Sequence, residues 1–499
     1  TVCLASPLRD VYKRQVLREG ATMHLQPDMP QPKPGTWSAK LPFVWDMILE
    51  TYFEHGAPAD AAPFADFFRV VVDETLFSTQ ASPERKSWGF QVLHRALQRA
   101  PAETLPFLFT PNLIRTWVNQ LSVTDRLLHS MAQKTVTYVG EAVKRSPTAG
   151  MALVTQLMGE HGRPDFDRVT HTKTIESILS SLDEAGIQKY LAYLRNVAYE
   201  TADVDDKKHV ASQRQWACDQ MLGLVRSNVV AKSDQWIRDV LVFFAGHGCF
   251  ALVKSPPAPW SNVLQVPAVP FDDSVQELCR LRLQACLTEL KGSKTGDHDW
   301  PLVVLDLLKA MAKEKRCFVS TATSLAQERI ERALETLKQL DKAQSKEKDD
   351  TKKAHMQAFK TMVAAVIIIT YEDTDDAPDL VEGLVDASRL LFFEKRKTEI
   401  GGMEMFVDVL IGLLEISSAF LRAMVSQAFA AFIGSMTKES IDHLIDQLGM
   451  NEEIEEVADE EGPEDQEISE QGLDRDANDS EEELDEDEDE DCLLYTSLM

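Results

Sequence analysis

Apolar residues recur at helical spacing through most of this 499-residue chain, and that period leaves few architectures open to it. Ala326, Ile330, Ala333, Leu337 and Leu340 follow one another at intervals of four, three, four and three, while Glu328, Arg329, Glu331, Arg332 and Lys338 fall between them. One face of such a helix is buried and the other solvated. Comparable patterns from Leu41 to Met450 predict about seventeen helices joined by short polar or proline-containing turns. No sustained alternation of β-branched and aromatic residues marks a strand. The longest apolar run, Met362 to Ile369, has eight residues, against roughly 20 for a bilayer span, so a soluble chain without a membrane partner is expected.

Several helix boundaries are legible. Ser82 before Pro83 and Glu84, and Thr110 before Pro111, each place a capping hydroxyl ahead of a proline suited to the first helical position. Ser122 with Asp125 resembles a capping box, and Gly449 a C-terminal cap. Short turns make successive helices antiparallel neighbours. The expected fold is therefore all-α, an armadillo/HEAT-like α-solenoid of stacked helical hairpins recurring about every 40 to 50 residues. No consensus repeat can be aligned, which keeps a large irregular helical domain as the alternative. Met403–Ile416 and Ser418–Met436 are apolar nearly all round, as inner helices of a stack would be. The expected divisions are a flexible lead-in at 16–40, N-terminal helical repeats at 41–254, a proline-rich loop at 255–270 and C-terminal helical repeats at 271–450. Residues 1–15 and 492–499 match neither neighbouring pattern and read as adapter-derived artefact.

Charge is divided unevenly. Residues 451–491 hold 24 acidic side chains against Arg475 alone, −23 of the net −29, so the rest of the chain is nearly balanced. A segment of this kind buries too little apolar surface to offset its chain entropy and is expected to be disordered. It suits basic proteins as partners, and Ser480, ahead of Glu481, Glu482 and Glu483, suits an acidophilic kinase. Seven cysteines without a CxxC pair indicate free thiols in a reducing compartment, with Cys279 and Cys286 in the apolar stripe of Val275, Leu283 and Leu290. No metal, cofactor or catalytic constellation is expected. Basic clusters occur at Lys309, Lys313, Lys315 and Arg316, at Lys346, Lys348, Lys352, Lys353 and Lys360, and at Lys395, Arg396 and Lys397. Each is either a solvated helix face or a contact for phosphates; no aromatics are interleaved, so any nucleic-acid contact would be directed at the backbone and sensitive to salt.

The stretch FFRVVVDETLFSTQASPERKSWGFQVLHRAL, Phe67 to Leu97, resembles the DNA polymerase V (phi)/Myb-binding protein family of nucleolar proteins. LPFVWDMILETYF from Leu41, LFTPNLIRTWVNQL from Leu108 and DFDRVTHTKTIESIL from Asp165 are similar to the same family. The resemblance implies an armadillo-like scaffold in the nucleolus or nucleus. It implies roles in ribosomal RNA gene transcription, ribosomal RNA processing and large-subunit assembly, with ribosomal DNA or pre-ribosomal RNA and assembly and transcription proteins as partners. It also implies a longer natural protein. Within the SPERKSWGF cassette, Arg85 and Lys86 are candidates for a phosphate or partner contact beside a structural role for the rest.

The family name raises the question of polymerase chemistry. VIIITYEDTDD, Val366 to Asp376, resembles the metal-binding turn of family B polymerases, with Asp373 and Asp375 in the ligand positions. Glu372 replaces the turn glycine, and the companion motifs are absent. A buried helix ending near Thr370 is the simpler expectation, and no polymerase activity is expected. Alternative functions are an acidic-tract chaperone or a transcriptional co-regulator that binds basic proteins.

Overall fold

A computed structural model describes residues 40–56, 61–159, 161–200, 207–291, 298–371, 377–394 and 401–436, with 438, 440–442 and 444–445. The acidic segment 451–491, the stretches 1–15 and 492–499, Gly449, and Glu372 to Asp376 lie outside the described residues. What is described is helical apart from one two-stranded ribbon, in agreement with the all-α expectation. The chain divides into two compact units: Thr1–Phe244 with Pro257–Leu278 and Ser293–Gly296, and Ala245–Pro256 with Cys279–Gly292 and Asp297–Met499.

In the first unit the order is α1 (Val44–Phe53), α2 (Phe64–Phe67), a π-helical segment (Phe68–Asp73), α3 (Glu74–Leu76), α4 (Pro83–Arg99), α5 (Pro111–Ser122) and α6 (His129–Arg145). It continues through α7 (Gly150–Met158), α8 (Phe166–Thr170), α9 (Thr174–Ser180), α10 (Glu184–Tyr199) and α11 (Lys207–Arg226), while α12 (Asp234–Cys249) and α13 (Asp273–Leu290) each begin in this unit and end in the second. Packing is local: α4 lies on α1 and α6, α5 on α6 and α8, α9 on α6 and α7, and α10 on α7 and α11. That is the neighbour-on-neighbour pattern of stacked hairpins.

Two aspartates hold this packing in register. Asp73, 2% exposed, ends the π-helical segment and reaches the start of α5. Its Oδ1 accepts from the Thr110 hydroxyl (2.6 Å) and the Leu113 N–H (2.8 Å), and its Oδ2 from the Asn112 side-chain amide (3.1 Å). Thr110 is therefore not the cap that its place before Pro111 suggests. Its hydroxyl is spent as a donor, and a carboxylate from another helix satisfies the free N–H groups and meets the positive end of the helix dipole. Asp167 repeats the device at α9, accepting from the N–H groups of Thr174 (2.8 Å), Ile175 (2.9 Å) and Glu176 (3.2 Å). Burial raises its carboxyl pKa even against these donors.

Ser122 is a second correction. It is the last residue of α5, its hydroxyl donates to the Asn119 carbonyl (3.0 Å), and the next helix starts only at His129, so no capping box forms with Asp125. Ser82 does cap α4, accepting from the Arg85 N–H (3.5 Å). Gly89 lets α4 sit on Phe77: a Cβ there would lie 2.6 Å from a ring already packed edge-on against Phe90.

In the second unit β1 (Phe250–Leu252) is followed by α14 (Trp300–Lys313), β2 (Phe318–Ser320), α15 (Ser324–Gln344) and α16 (Asp350–Thr370). Then come α17 (Ala377–Ser388), which runs into a π-helical segment Arg389–Phe393, α18 (Gly402–Glu415) and α19 (Ala419–Phe432). Helix α16 packs against α14, α15, α17 and α19, which explains why Met362 to Thr370 are buried without interruption. Val366 to Thr370, the part of the polymerase-like segment that lies in α16, is thus helical, where that motif needs a strand. Phe359, Phe392, Phe406 and Phe432 form an aromatic cluster at the middle of α16. Cys279 and Cys286 are buried with Val275, Leu283 and Leu290, as the stripe predicts.

The ribbon is the element that periodicity could not reveal. Phe250 pairs with Ser320, Ala251 with Val319 and Leu252 with Phe318, antiparallel. Three residues per strand are too few to alternate visibly. The inward side carries Phe250 and Phe318, whose rings meet at 5.6 Å, and the outward side exposes Ala251 and Val319.

Candidate nucleic-acid interface

The basic residues singled out in the sequence separate into spoken-for and available. Lys309 pairs with Asp306 at 2.6 Å, Lys353 with Asp350 at 3.0 Å, and Lys360 with Asp341 at 2.6 Å. Such pairs on a helix surface contribute little to stability, but they lower the field that a phosphate would feel. Lys313, Lys315, Arg316 and Lys352 are exposed and make no ion pair among the described residues. Lys395, Arg396, Lys397 and Ser480 lie outside the described residues.

The ribbon adds a cation that sequence spacing does not group with these. Beyond its paired residues the Val253 N–H donates to the Cys317 carbonyl (2.9 Å), and the Cys317 thiol lies 3.6 Å from the Ser255 carbonyl. Lys254, between Val253 and Ser255, is therefore carried alongside Arg316. The turn is closed by Cys317 N–H to the Glu314 carbonyl (2.9 Å), which keeps Lys315 and Arg316 just beyond the C-terminus of α14, where Lys313 ends the helix. Lys254, Lys313, Lys315 and Arg316 thus surround one end of the ribbon with Glu314 as the one acid in the turn. Cations are favoured at a helix C-terminus in any case, but that accounts only for Lys313.

A smaller cluster lies in the first unit. Lys86 is half-buried, and its pKa is lowered by burial and then by the Arg115 guanidinium nearby. Arg115 itself donates to the Asn112 side-chain carbonyl at 2.9 Å, and Asn112 is tied to Asp73. The Nε of half-buried Arg85 has no hydrogen-bond partner among the described residues. Arg115 was not visible as a site residue from sequence, because only the packing of α5 brings it to α4. Among the described residues no group of three or more His, Cys, Asp and Glu side chains is placed to hold a metal ion, and no helix is long and apolar enough to cross a membrane.

The family profile described as DNA polymerase phi matches residues 8–492. The chain belongs to the DNA polymerase phi family. The rDNA transcriptional regulator pol5 of Schizosaccharomyces pombe is 32% identical over 443 residues, covering 84% of this chain and 44% of that protein. The rDNA transcriptional regulator POL5 of Saccharomyces cerevisiae is 23% identical over 449 residues, covering 84% of this chain and 40% of that protein. The chain spans less than half the length of these curated relatives. No solved structure matches it. In this member of the DNA polymerase phi family, the stretches that carry the likeness contain the capping aspartates Asp73 and Asp167, the cap Ser82 and the close-packing Gly89.

Proposed function

We propose that the chain acts in the regulation of ribosomal DNA transcription as a nucleolar, non-catalytic helical scaffold. In this reading it holds nucleic-acid phosphates at Lys254, Lys313, Lys315 and Arg316. Membership of the DNA polymerase phi family, whose curated relatives here are named rDNA transcriptional regulators, carries the first part. Four exposed cations gathered at the ribbon end support the second. Ribosomal RNA processing and large-subunit assembly belong to the same proposal, with ribosomal DNA or pre-ribosomal RNA and the assembly and transcription proteins on them as partners.

Phosphate contacts release counterions, so the proposal has a thermodynamic signature. Binding of the full chain to ribosomal DNA duplex and to ribosomal RNA fragments should weaken steeply with salt. The combined substitution K254A, K313A, K315A and R316A should reduce the slope of log affinity against log salt by about three, at roughly 0.7 to 0.9 per lost contact. An unchanged slope would reject this surface. No primer extension is expected from purified protein. A signal that disappears in Asp373→Ala with Asp375→Ala would reject the non-catalytic reading. A second reading, a chaperone or co-regulator for basic proteins, is favoured by the −23 carried on residues 451–491.

A further inference from the structure

We infer that the acidic segment Asn451–Asp491 docks on the ribbon surface of its own chain, covering Lys254, Lys313, Lys315 and Arg316. The surface offers two things together. One is the rim of four cations, with Glu314 the one acid in the turn that carries three of them; the other is an exposed apolar strip, where Val253 is 56% and Val319 50% exposed beside Ala251. The acidic segment offers the complement. It opens EEIEEV, with Ile454 and Val457 set among glutamates, and goes on to a nearly continuous acidic run from Glu481 to Asp491.

The tether makes the contact accessible. The segment follows Ile445, the last described residue, which belongs to the same unit as the ribbon. Fully extended, 41 residues reach roughly 140 Å. A compact unit of this folded size has a radius of gyration of roughly 16 Å. Tethering supplies an effective concentration in the millimolar range, so even a weak ionic contact is populated. Among the described residues of the unit, the exposed basic stretch Lys342 to Lys353 is less favourable, because Glu347, Asp349 and Asp350 interrupt it and Lys353 is already paired.

This inference does not require nucleic-acid binding, and its test reads the contact directly. Full-length protein, prepared as an equal mixture of nitrogen-14 and nitrogen-15 chains, is treated with a zero-length carboxyl–amine cross-linker and the joined peptides are mapped. Lys254, Lys313 and Lys315 should be joined to Asp and Glu of 451–491 within single chains, about five-fold more often than Lys346, Lys348 and Lys352. The difference should vanish near 0.5 M salt, where the screening length falls to about 4 Å. Lys254→Ala with Arg316→Ala should cut the joins at Lys313 and Lys315 several-fold while the helical circular-dichroism signal is kept. Joins spread evenly over all exposed lysines, joins of which about half link a light to a heavy chain as random pairing between chains requires, or joins that survive the double substitution would each overturn the inference. Intramolecular joins without nucleic-acid affinity would reject the phosphate reading alone, and affinity without such joins would reject this one alone.

Discussion

Asp73→Ala is expected to destabilise the first unit by about 3 kcal/mol, because it strands several donors at once inside the protein. The hydroxyl of Thr110, the side-chain amide of Asn112 and the Leu113 N–H all point at this carboxylate, which is 2% exposed. For a unit of this size the unfolding midpoint should drop by roughly 6 to 12 °C. Trp117 on the same helix is fully buried, with its ring 5.2 Å from Phe166, so its fluorescence reports the loss. Ser82→Ala is the control. It removes a single cap whose contact is already long at 3.5 Å, and should cost about 0.5 to 1 kcal/mol. A cost for Asp73→Ala no greater than that of the control would show that the carboxylate does not hold α5 in place.

Acid should weaken the same unit through His94. The ring is 8% exposed, lies 4.6 Å from the Tyr138 ring and places its Nε2 2.8 Å from the Thr135 hydroxyl. That hydroxyl donates to the Met131 carbonyl (3.1 Å), so its lone pair accepts from the His94 Nε2–H. Burial, then the nearby Lys134, lowers its pKa from 6.5 to about 4. A depressed histidine binds its proton more readily in the unfolded chain. Stability from this group is therefore complete above about pH 6.5 and falls as pH drops toward 4, by about 3 kcal/mol across that window. Urea unfolding at stepped pH should show the decline in the natural sequence and a flatter profile over the same window in His94→Gln. Parallel profiles would assign the acid sensitivity to other groups.

Features set by residues near one another in sequence were legible before the structure. The stripe Ala326 to Leu340 is buried as its spacing requires, and Met362 to Thr370 is an inner helix because the run is apolar on every side. Misreadings arose where a distant residue takes over a local role. Thr110 looks like a cap because hydroxyls before Pro usually are, yet a carboxylate 37 positions earlier does the work. The candidate site shows the same division. Lys313, Lys315 and Arg316 stand together in the sequence, whereas Lys254 joins them only through strand pairing, and Arg115 reaches Lys86 only through helix packing. Lys309, Lys353 and Lys360 looked equally free in the sequence, and only the structure shows their carboxylate partners.

The ribbon also sets an order of events. Its strands are far apart along the chain, so pairing Phe250–Leu252 with Phe318–Ser320 closes a long loop and bears the entropy of that closure. Contacts of this kind form late, after the local helices. Until then Lys254 is a lone charge on a separate stretch of chain, and Lys313 to Arg316 have no partner strand beside them. The proposed anionic-ligand surface therefore comes into being with the closing step of its unit: a nascent or partly opened chain lacks it, and amide exchange at Val253 and Thr321 would time its appearance.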